Sequence, residues 1–402
     1  MERLAILGGS KSVTSDIYEW PLEYNLRYGH EELQALTEVY KRGVINGQYA
    51  PEVTKLQKDF SDYIGVDYAI ALNSGTASLH CAVEAAGISF GDEVITSPHS
   101  FIGSVAGVLH SNANPVFADI DLDTYNLDPK SIEDNITDRT KAILPVHLYG
   151  LPADMDPINK IAKAHGLVVI EDACQAHGAI YKGKKAGSLG DMAGFSLNAS
   201  KNMMAGEGGI FTTNSTEYAE EAKKIRVFGE VIKPDEPREY RALRVGHNYR
   251  ITELQSALAN VQLERLSETN RIRIENADYL TSRLEKIPGF ITPHIPSDSV
   301  SVYYMYKIRV DPDSFGIKMS PKELRSRVVT ALKAEGVPAS IWSTEPIYMQ
   351  PLFQNRNGHS WHCPSVEEPV VYREGDCPNT EKASQEAFNI NVHPPNDVTL
   401  VA

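Results

Sequence analysis

Between residues 68 and 214, short apolar runs alternate with segments in which apolar residues recur at helical spacing. Runs that are apolar throughout are typical of strands buried on both faces of a largely parallel sheet. Helical spacing is clearest at 77–86 and 155–165. The pattern predicts a three-layer α/β domain with a mostly parallel seven-stranded sheet. Its strands are expected at 68–72, 93–96, 115–118, 142–146, 167–170, 194–196 and 209–213.

The second half of the chain begins with a long helical pattern. A helix is predicted over 251–286, and Leu254, Leu258 and Val261 mark its apolar face. Acidic and basic residues recur at other positions of the segment. This segment is therefore expected to bridge the first domain to a second one.

The length of the chain supports two domains, because 402 residues are too many for one compact core. After the long helix, a strand pattern at 303–310 is followed by a helical pattern at 321–335. We expect an N-terminal arm and large domain over 1–250. The bridging helix and a smaller C-terminal α/β domain would occupy 251–402.

Charge and composition exclude several classes of protein. The net charge of −14 and pI of about 5.4 argue against nucleic acid or an anionic membrane as a partner. No apolar run approaches the roughly 20 residues that span a bilayer, and the run at 4–9 is short for a signal peptide. The protein is expected to be cytoplasmic. The four cysteines form no CxxC pair and the histidines no HExxH motif, so reduced thiols and no metal are expected.

One lysine and one aspartate follow predicted strands. Lys201 lies between a strand and the glycine-rich turn 206–209, and Asp172 ends an earlier buried strand. A lysine amine can form a Schiff base with the aldehyde of pyridoxal phosphate (PLP), and a carboxylate can keep the pyridine nitrogen protonated. Most lysines, however, are surface residues, and such an aspartate is also a common turn or N-cap residue.

A candidate phosphate site lies where a predicted strand ends and a helix begins. The small residues Ser74, Gly75 and Thr76 would let the backbone approach an anion, which the first helical N–H groups attract. An ordinary helix N-cap is the alternative interpretation. Ser196 could reach the same phosphate from the next strand. Along the chain, the phosphate site comes first, then the aspartate, the serine and the lysine. This order is what one cofactor bound at one edge of a sheet requires.

These motifs closely resemble the DegT/DnrJ/EryC1/StrS family of PLP-dependent sugar and cyclitol aminotransferases, which have the type I aminotransferase fold. The resemblance extends over nearly the whole chain. Its most specific parts are residues 171–178, 196–209 and 246–255, and 73–76 and 145–150 add to it.

The resemblance implies roles around the cofactor ring. Lys201 would be the Schiff-base lysine, and Asp172 the partner of the pyridine nitrogen. Gln175 would bind the ring hydroxyl, and Phe101 would stack on the ring, although a lone phenylalanine is more often a core residue. The phosphate would be bound by Ser74, Gly75, Thr76 and Ser196.

The resemblance also implies a homodimer whose active site is shared between subunits. Asn248 would reach the phosphate held by the neighbouring subunit, with a loop cap as the alternative interpretation. Arg250 is a candidate anchor for the carboxylate of the amino donor, since its planar fork suits that group; a structural ion pair is the alternative.

The reaction expected from the resemblance is amino transfer from glutamate or glutamine to a keto sugar or ketocyclitol, in amino-sugar or secondary-metabolite biosynthesis. Related sugar dehydrases have histidine in place of the lysine, so Lys201 favours transamination. The same scaffold could also serve an aminohydroxybenzoate-synthase-like enzyme or a non-catalytic regulatory homologue. The intact set of site residues disfavours the regulatory homologue.

The acceptor stays open at this point. Residues 4–9, together with Trp20 and Pro21, resemble the branch that acts on ketocyclitols, whereas 346–353 depart from a common sugar-branch pattern. The acceptor could be a ketocyclitol, a free or phosphorylated keto sugar, or a nucleotide-linked one. The sequence does not distinguish glutamate from glutamine as donor.

Overall fold

The computed structural model describes residues 3–13, 28–234, 236–356 and 370–393. Trp20 and Pro21, which contribute to the ketocyclitol resemblance, lie outside these ranges. The strands are β1 (Tyr68–Leu72), β2 (Glu93–Thr96), β3 (Asn114–Phe117), β4 (Thr140–Leu144), β5 (Val168–Asp172), β6 (Ile180–Tyr181), β7 (Lys184–Lys185), β8 (Met192–Ser196), β9 (Gly209–Thr213), β10 (Phe290–Ile291), β11 (Ser299–Val300), β12 (Tyr306–Val310), β13 (Ala339–Ser340) and β14 (Ala387–Ile390).

Helices precede, separate and follow these strands. The α-helices are α1 (His30–Arg42), α2 (Pro51–Ile64), α3 (Gly75–Ala85), α4 (Gly103–His110), α5 (Pro129–Asp134), α6 (Met155–His165), α7 (Thr216–Arg226), α8 (Glu253–Leu284), α9 (Pro321–Ala334), α10 (Pro351–Gln354) and α11 (Pro378–Glu386). Short 3-10 helices lie at Ala5–Leu7, Leu148–Gly150 and Ile347–Met349. Within the described ranges, no helix is both long enough and apolar enough to cross a bilayer.

The central sheet has seven strands in the order β1-β9-β8-β5-β4-β2-β3. Only β9 runs antiparallel to its neighbours, β1 and β8, while the other pairs are parallel. The predicted three-layer α/β fold with a mostly parallel sheet is therefore confirmed. Its strands carry apolar residues on both faces, as the uninterrupted apolar runs indicated.

Successive strand residues face opposite layers of helices. Ile70 and Ile170 pack with α3 and α7 on one face of the sheet. On the other face, Ala71 and Phe195 pack with α2 and the start of α8, while Ile143 packs with α5 and α6. This double coverage leaves the carboxyl ends of the parallel strands as the open edge of the layer, where ligands bind in such folds.

Helix α8 connects the two sheets. Its first half packs against α2 through small residues such as Ala259, and its second half reaches the other core through Ala277. The predicted apolar face is confirmed only in part, because Leu258 packs against the same core as Ala259, whereas Leu254 is 39% exposed and Val261 only partly buried.

The second sheet is antiparallel, in the order β10-β12-β14-β13, and packs with α9 and α11. It forms the core of the smaller C-terminal α/β unit. Between β13 and β14 the chain returns to the first unit, where Tyr348 and Phe353 pack against Phe117 of β3. The exact domain boundary near residue 250 stays a prediction.

Candidate active site

A cavity of about 410 Å³ opens at the carboxyl ends of β1, β5 and β8. It brings together eight of the ten residues that the sequence predicted: Ser74, Gly75, Thr76, Phe101, Asp172, Gln175, Ser196 and Lys201. Asn248 and Arg250 do not line it. The remaining wall includes residues that the sequence analysis missed, among them Ser100, Ser104, Tyr304 and Trp342.

The first turn of α3 forms one end of the cavity. Ser74 is the N-cap, and its Oγ accepts a hydrogen bond from the Ala77 N–H at 3.0 Å. The N–H groups of Gly75 and Thr76 have no acceptor inside the helix and lie at its positive end. A Cβ at position 75 would be only 2.6 Å from Ser196 Cβ. Glycine therefore lets the end of β8 approach this turn, and the N-cap and anion-site interpretations are compatible.

Asp172 lies at the last position of β5 and is 4% exposed. Its Oδ2 accepts a hydrogen bond from Ser104 Oγ at 2.6 Å, and its Oδ1 accepts one from the Cys174 N–H at 3.1 Å. Ser104 Oγ is also 2.6 Å from Ser100 Oγ. The carboxylate is thus fixed by neutral donors, so its charge is free to face a cationic group in the cavity.

Lys201 lies in the connection from β8 to β9. This connection is closed by backbone hydrogen bonds, including Leu197 N–H to Gly208 O and Ala199 N–H to Gly206 O. The Lys201 Nζ is 3.3 Å from Tyr304 Oη and 4.4 Å from the centre of the Tyr304 ring.

Tyr304 reaches Lys201 because two segments meet beside Gly150. The φ of Gly150 is +95°, and a Cβ there would be 2.8 Å from the Tyr304 nitrogen. In the same region, Asn202 Nδ2 donates to Val302 O at 3.0 Å. These contacts join the lysine connection to a segment about one hundred residues later, which no local sequence pattern indicates.

Gln175 and Phe101 form two further parts of the wall. The Gln175 Oε1 accepts a hydrogen bond from the Tyr149 N–H at 2.9 Å, which leaves its amide nitrogen to donate elsewhere. Phe101 is 60% exposed, so it is not the core aromatic that was the alternative. Trp342 lies nearby, with its ring 5.7 Å from that of Tyr149 in an edge-to-face contact.

Burial shifts the pKa values of two side chains near Lys201, namely Cys174 and His177. Desolvation and the nearby charge of Asp172 raise the pKa of the Cys174 thiol well above its usual value, so the unreactive thiol form predominates. Desolvation, and next the charge of Lys201, lowers the pKa of His177 to about 3, and its ring is neutral. Burial lowers the pKa of a second lysine, Lys307, to about 7, but this residue does not line the cavity.

Asn248 and Arg250 lie together and outside the cavity wall. Arg250 Nε donates to Asn248 Oδ1 at 3.0 Å, and the Arg250 guanidinium is 5.5 Å from the Phe228 ring. Asn248 is exposed, and its backbone oxygen accepts a hydrogen bond from Asn73 at 3.2 Å. Within one chain neither residue meets the predicted site, so a contact across a dimer stays a prediction.

The cavity fits PLP in four respects. It has free helical N–H groups for a phosphate, a buried carboxylate for a pyridinium, an exposed aromatic ring and a lysine amine. These features lie on a seven-stranded sheet of the type I aminotransferase form. Fold and site together define a PLP-dependent aminotransferase.

Comparison with known proteins gives the family. Residues 27–397 match the DegT/DnrJ/EryC1/StrS aminotransferase family, so the chain belongs to it. The expectation of PLP as cofactor is thereby confirmed. This chain is 42% identical over 283 residues to GDP-perosamine synthase of Caulobacter vibrioides. The alignment covers 67% of this chain and 75% of that protein.

Two further similarities cover nearly the whole chain. L-glutamine:2-deoxy-scyllo-inosose aminotransferase of Streptoalloteichus tenebrarius is 36% identical over 366 residues, with 88% of this chain and 82% of that protein covered. The crystal structure of DesV from S. venezuelae superposes with a TM-score of 0.81 at 30% identity, over 92% of this chain and 91% of DesV.

Proposed function

We propose that this chain transfers an amino group from glutamate or glutamine to the keto group of a sugar or cyclitol. The observation that carries the proposal is the Lys201 amine in one cavity with the fixed carboxylate of Asp172. The names of two relatives, a perosamine synthase and a cyclitol aminotransferase, support the class of acceptor.

The residues that would hold the cofactor follow from the cavity wall. The N–H groups of Gly75 and Thr76, together with Ser196, would bind the phosphate, and Lys201 would hold the cofactor covalently. Asp172 would pair with the ring nitrogen. When bound, the cofactor supplies an electron sink for the bond broken at the substrate carbon. The Phe101 ring would cover one face, and the Gln175 amide would donate to the ring hydroxyl.

Lys201 would also move the proton during amino transfer. Once the incoming amino group has released the Lys201 amine, this amine can take a proton from the substrate carbon that bears the nitrogen. It can then give a proton to the carbon on the other side of that nitrogen. Tyr304 Oη, 3.3 Å from Nζ, would orient the amine for this step. The Asp172 carboxylate, held in place by the donors from Ser104 and Cys174, would hold positive charge on the ring.

Asn248 and Arg250 enter the proposal through a second subunit. Both lie on an exposed segment at the end of β1, with Leu72 and Arg250 forming a bridge pair. In a two-fold dimer such a segment can complete the partner's site. We propose that Asn248 binds the phosphate there and that Arg250 binds the donor carboxylate.

Dehydrases and aminohydroxybenzoate-type enzymes share this scaffold, and Lys201 favours transamination over dehydration.

A substrate panel with mass spectrometry tests the function. Ketocyclitols and free, phosphorylated and nucleotide-linked keto sugars are incubated with glutamate or glutamine, and the aminated product is measured. We expect one acceptor class to gain an amino group with wild type and with Lys184→Ala, an exposed lysine on β7. Lys201→Ala should give none. Loss of water without amino gain, in any arm, would contradict amino transfer and support the dehydrase.

A further inference from the structure

A second group of chemically active side chains lies outside the cavity. His80 and Glu84 are one turn apart on α3, and His247 approaches them from the segment after α7. One ligand atom from each lies within 4.8 Å of the other two. We refer to these three residues as the His–Glu–His cluster.

The distances within the cluster are close to those of a metal site. Glu84 Oε1 is 3.5 Å from His80 Nε2 and 3.2 Å from His247 Nε2. Bonds of about 2.0–2.2 Å in a tetrahedral zinc site place neighbouring ligand atoms roughly 3.3–3.5 Å apart. Glu84 Oε1 thus lies at ligand-to-ligand distance from both imidazole nitrogens, and the two nitrogens are within 4.8 Å of each other.

His80 provides an independent indication of a ligand. It is 3% exposed, and among the described residues its Nε2 has no hydrogen-bond partner. Its Nδ1 is already 2.8 Å from Tyr249 Oη, so Nε2 is the nitrogen that faces Glu84.

The ligands are held by further contacts, as is usual around protein-bound metals. Arg244 Nη2 is 3.4 Å from Glu84 Oε2, the oxygen that does not face the histidines, while Arg244 Nη1 donates to Glu221 at 2.8 Å. The His247 ring stacks on Tyr249, with centres 4.6 Å apart and an angle of 14°. Each ligand is thus positioned by a neighbour, and Glu221 balances the arginine charge.

We propose that His80, Glu84 and His247 bind a divalent transition-metal ion, for which Zn²⁺ is the best candidate. Two imidazoles and one carboxylate are common zinc ligands, and water would complete the tetrahedron. The cluster is partly open, since the Glu84 and His247 side chains are 16% and 29% exposed. The motif search missed it because His247 lies 163 residues after Glu84.

The ion would act on structure rather than on the reaction. His247 precedes Asn248, and α3 carries the Gly75 and Thr76 N–H groups at its start. A metal bridge would therefore fix the exposed segment that holds Asn248 to the helix that is the proposed phosphate site. Metal binding itself does not depend on the proposed amino transfer.

Equilibrium dialysis of the holoenzyme tests the site. The protein is treated with a chelator, freed of it, and equilibrated with Zn²⁺ alone before metal analysis. We expect one zinc per chain in wild type and in His110→Gln, the matched control, because exposed His110 lies beside His80 but outside the cluster. Glu84→Gln and His247→Gln should bind at least about tenfold more weakly.

Thermal unfolding of the same samples gives a second measurement. Zinc should raise the Tm of wild type and of His110→Gln by a few degrees and leave the other two variants unchanged. Both substituted positions are partly exposed, so these variants should fold, and their PLP content is measured separately. No stoichiometric zinc, or zinc bound equally by Glu84→Gln and His247→Gln, would overturn the proposal and identify a purely hydrogen-bonded cluster. Neither result would bear on amino transfer.

Discussion

Ser104 donates a hydrogen bond of 2.6 Å to Asp172, although the two residues are 68 positions apart. This contact joins the start of α4 to the end of β5 at the wall of the cavity. A neutral donor fixes the direction of the carboxylate without neutralising it. Asp172 is therefore oriented by the fold before any cofactor binds.

Ser104→Ala should lower kcat/KM for amino transfer about tenfold, because a hydrogen bond to a charged group contributes about 1.5 kcal/mol or more. Steady-state kinetics measures the effect. Ser111→Ala is the control, since Ser111 lies just after α4 and its Oγ donates to the Gly107 carbonyl of the same helix. Equal activity of the two variants would show that the Ser104 contact has no role in catalysis.

Asp172→Asn should reduce turnover by two or more decades, about 3 kcal/mol, because an amide cannot keep a ring nitrogen protonated. The asparagine Oδ1 can still accept a hydrogen bond from Ser104 or Cys174, so Tm should change little. Single-turnover rates with the amino donor, together with thermal unfolding, separate the two effects. Near-normal turnover in a folded variant would contradict the pairing.

Gly75→Ala should weaken PLP binding at least about tenfold. The added Cβ would be 2.6 Å from Ser196 Cβ, and this clash would force the first turn of α3 away from β8. Absorbance titration of the apoenzyme with PLP measures the affinity. Thr76→Ala keeps the backbone N–H and serves as the milder comparison. If Gly75→Ala binds PLP as tightly as wild type, the phosphate site lies elsewhere.

A mixture of two inactive variants tests the shared active site. Lys201→Ala and Asn248→Asp should each be inactive, the second because its charge repels the phosphate. In a heterodimer one site receives both substitutions and the other neither, so activity should return toward about half that of a wild-type dimer. No recovery after verified subunit exchange would place Asn248 outside the partner's site.

The sequence predicted the strand pattern and most of the site because local features carry them. Apolar runs identified the buried strands, and Lys201 and Asp172 each follow one of those runs. Tyr304 and Ser104 escaped prediction, since their roles depend on segments that meet only in the folded chain. The predicted face of α8 was only partly right, since Leu258 packs against the core while Leu254 is exposed. Asn248 was predicted for the site, yet one chain leaves it exposed.

The covalent position of the cofactor is the most direct test of the account. Borohydride reduction of the holoenzyme followed by peptide mapping should find the cofactor on Lys201 alone, and Lys201→Ala should retain none after denaturation. Lys307 is the informative rival, because burial lowers its pKa to about 7 and makes its amine more nucleophilic. Cofactor on the Lys201 peptide is the predicted result. Cofactor on Lys307, or on any other lysine, would contradict the assignment of this cavity as the active site.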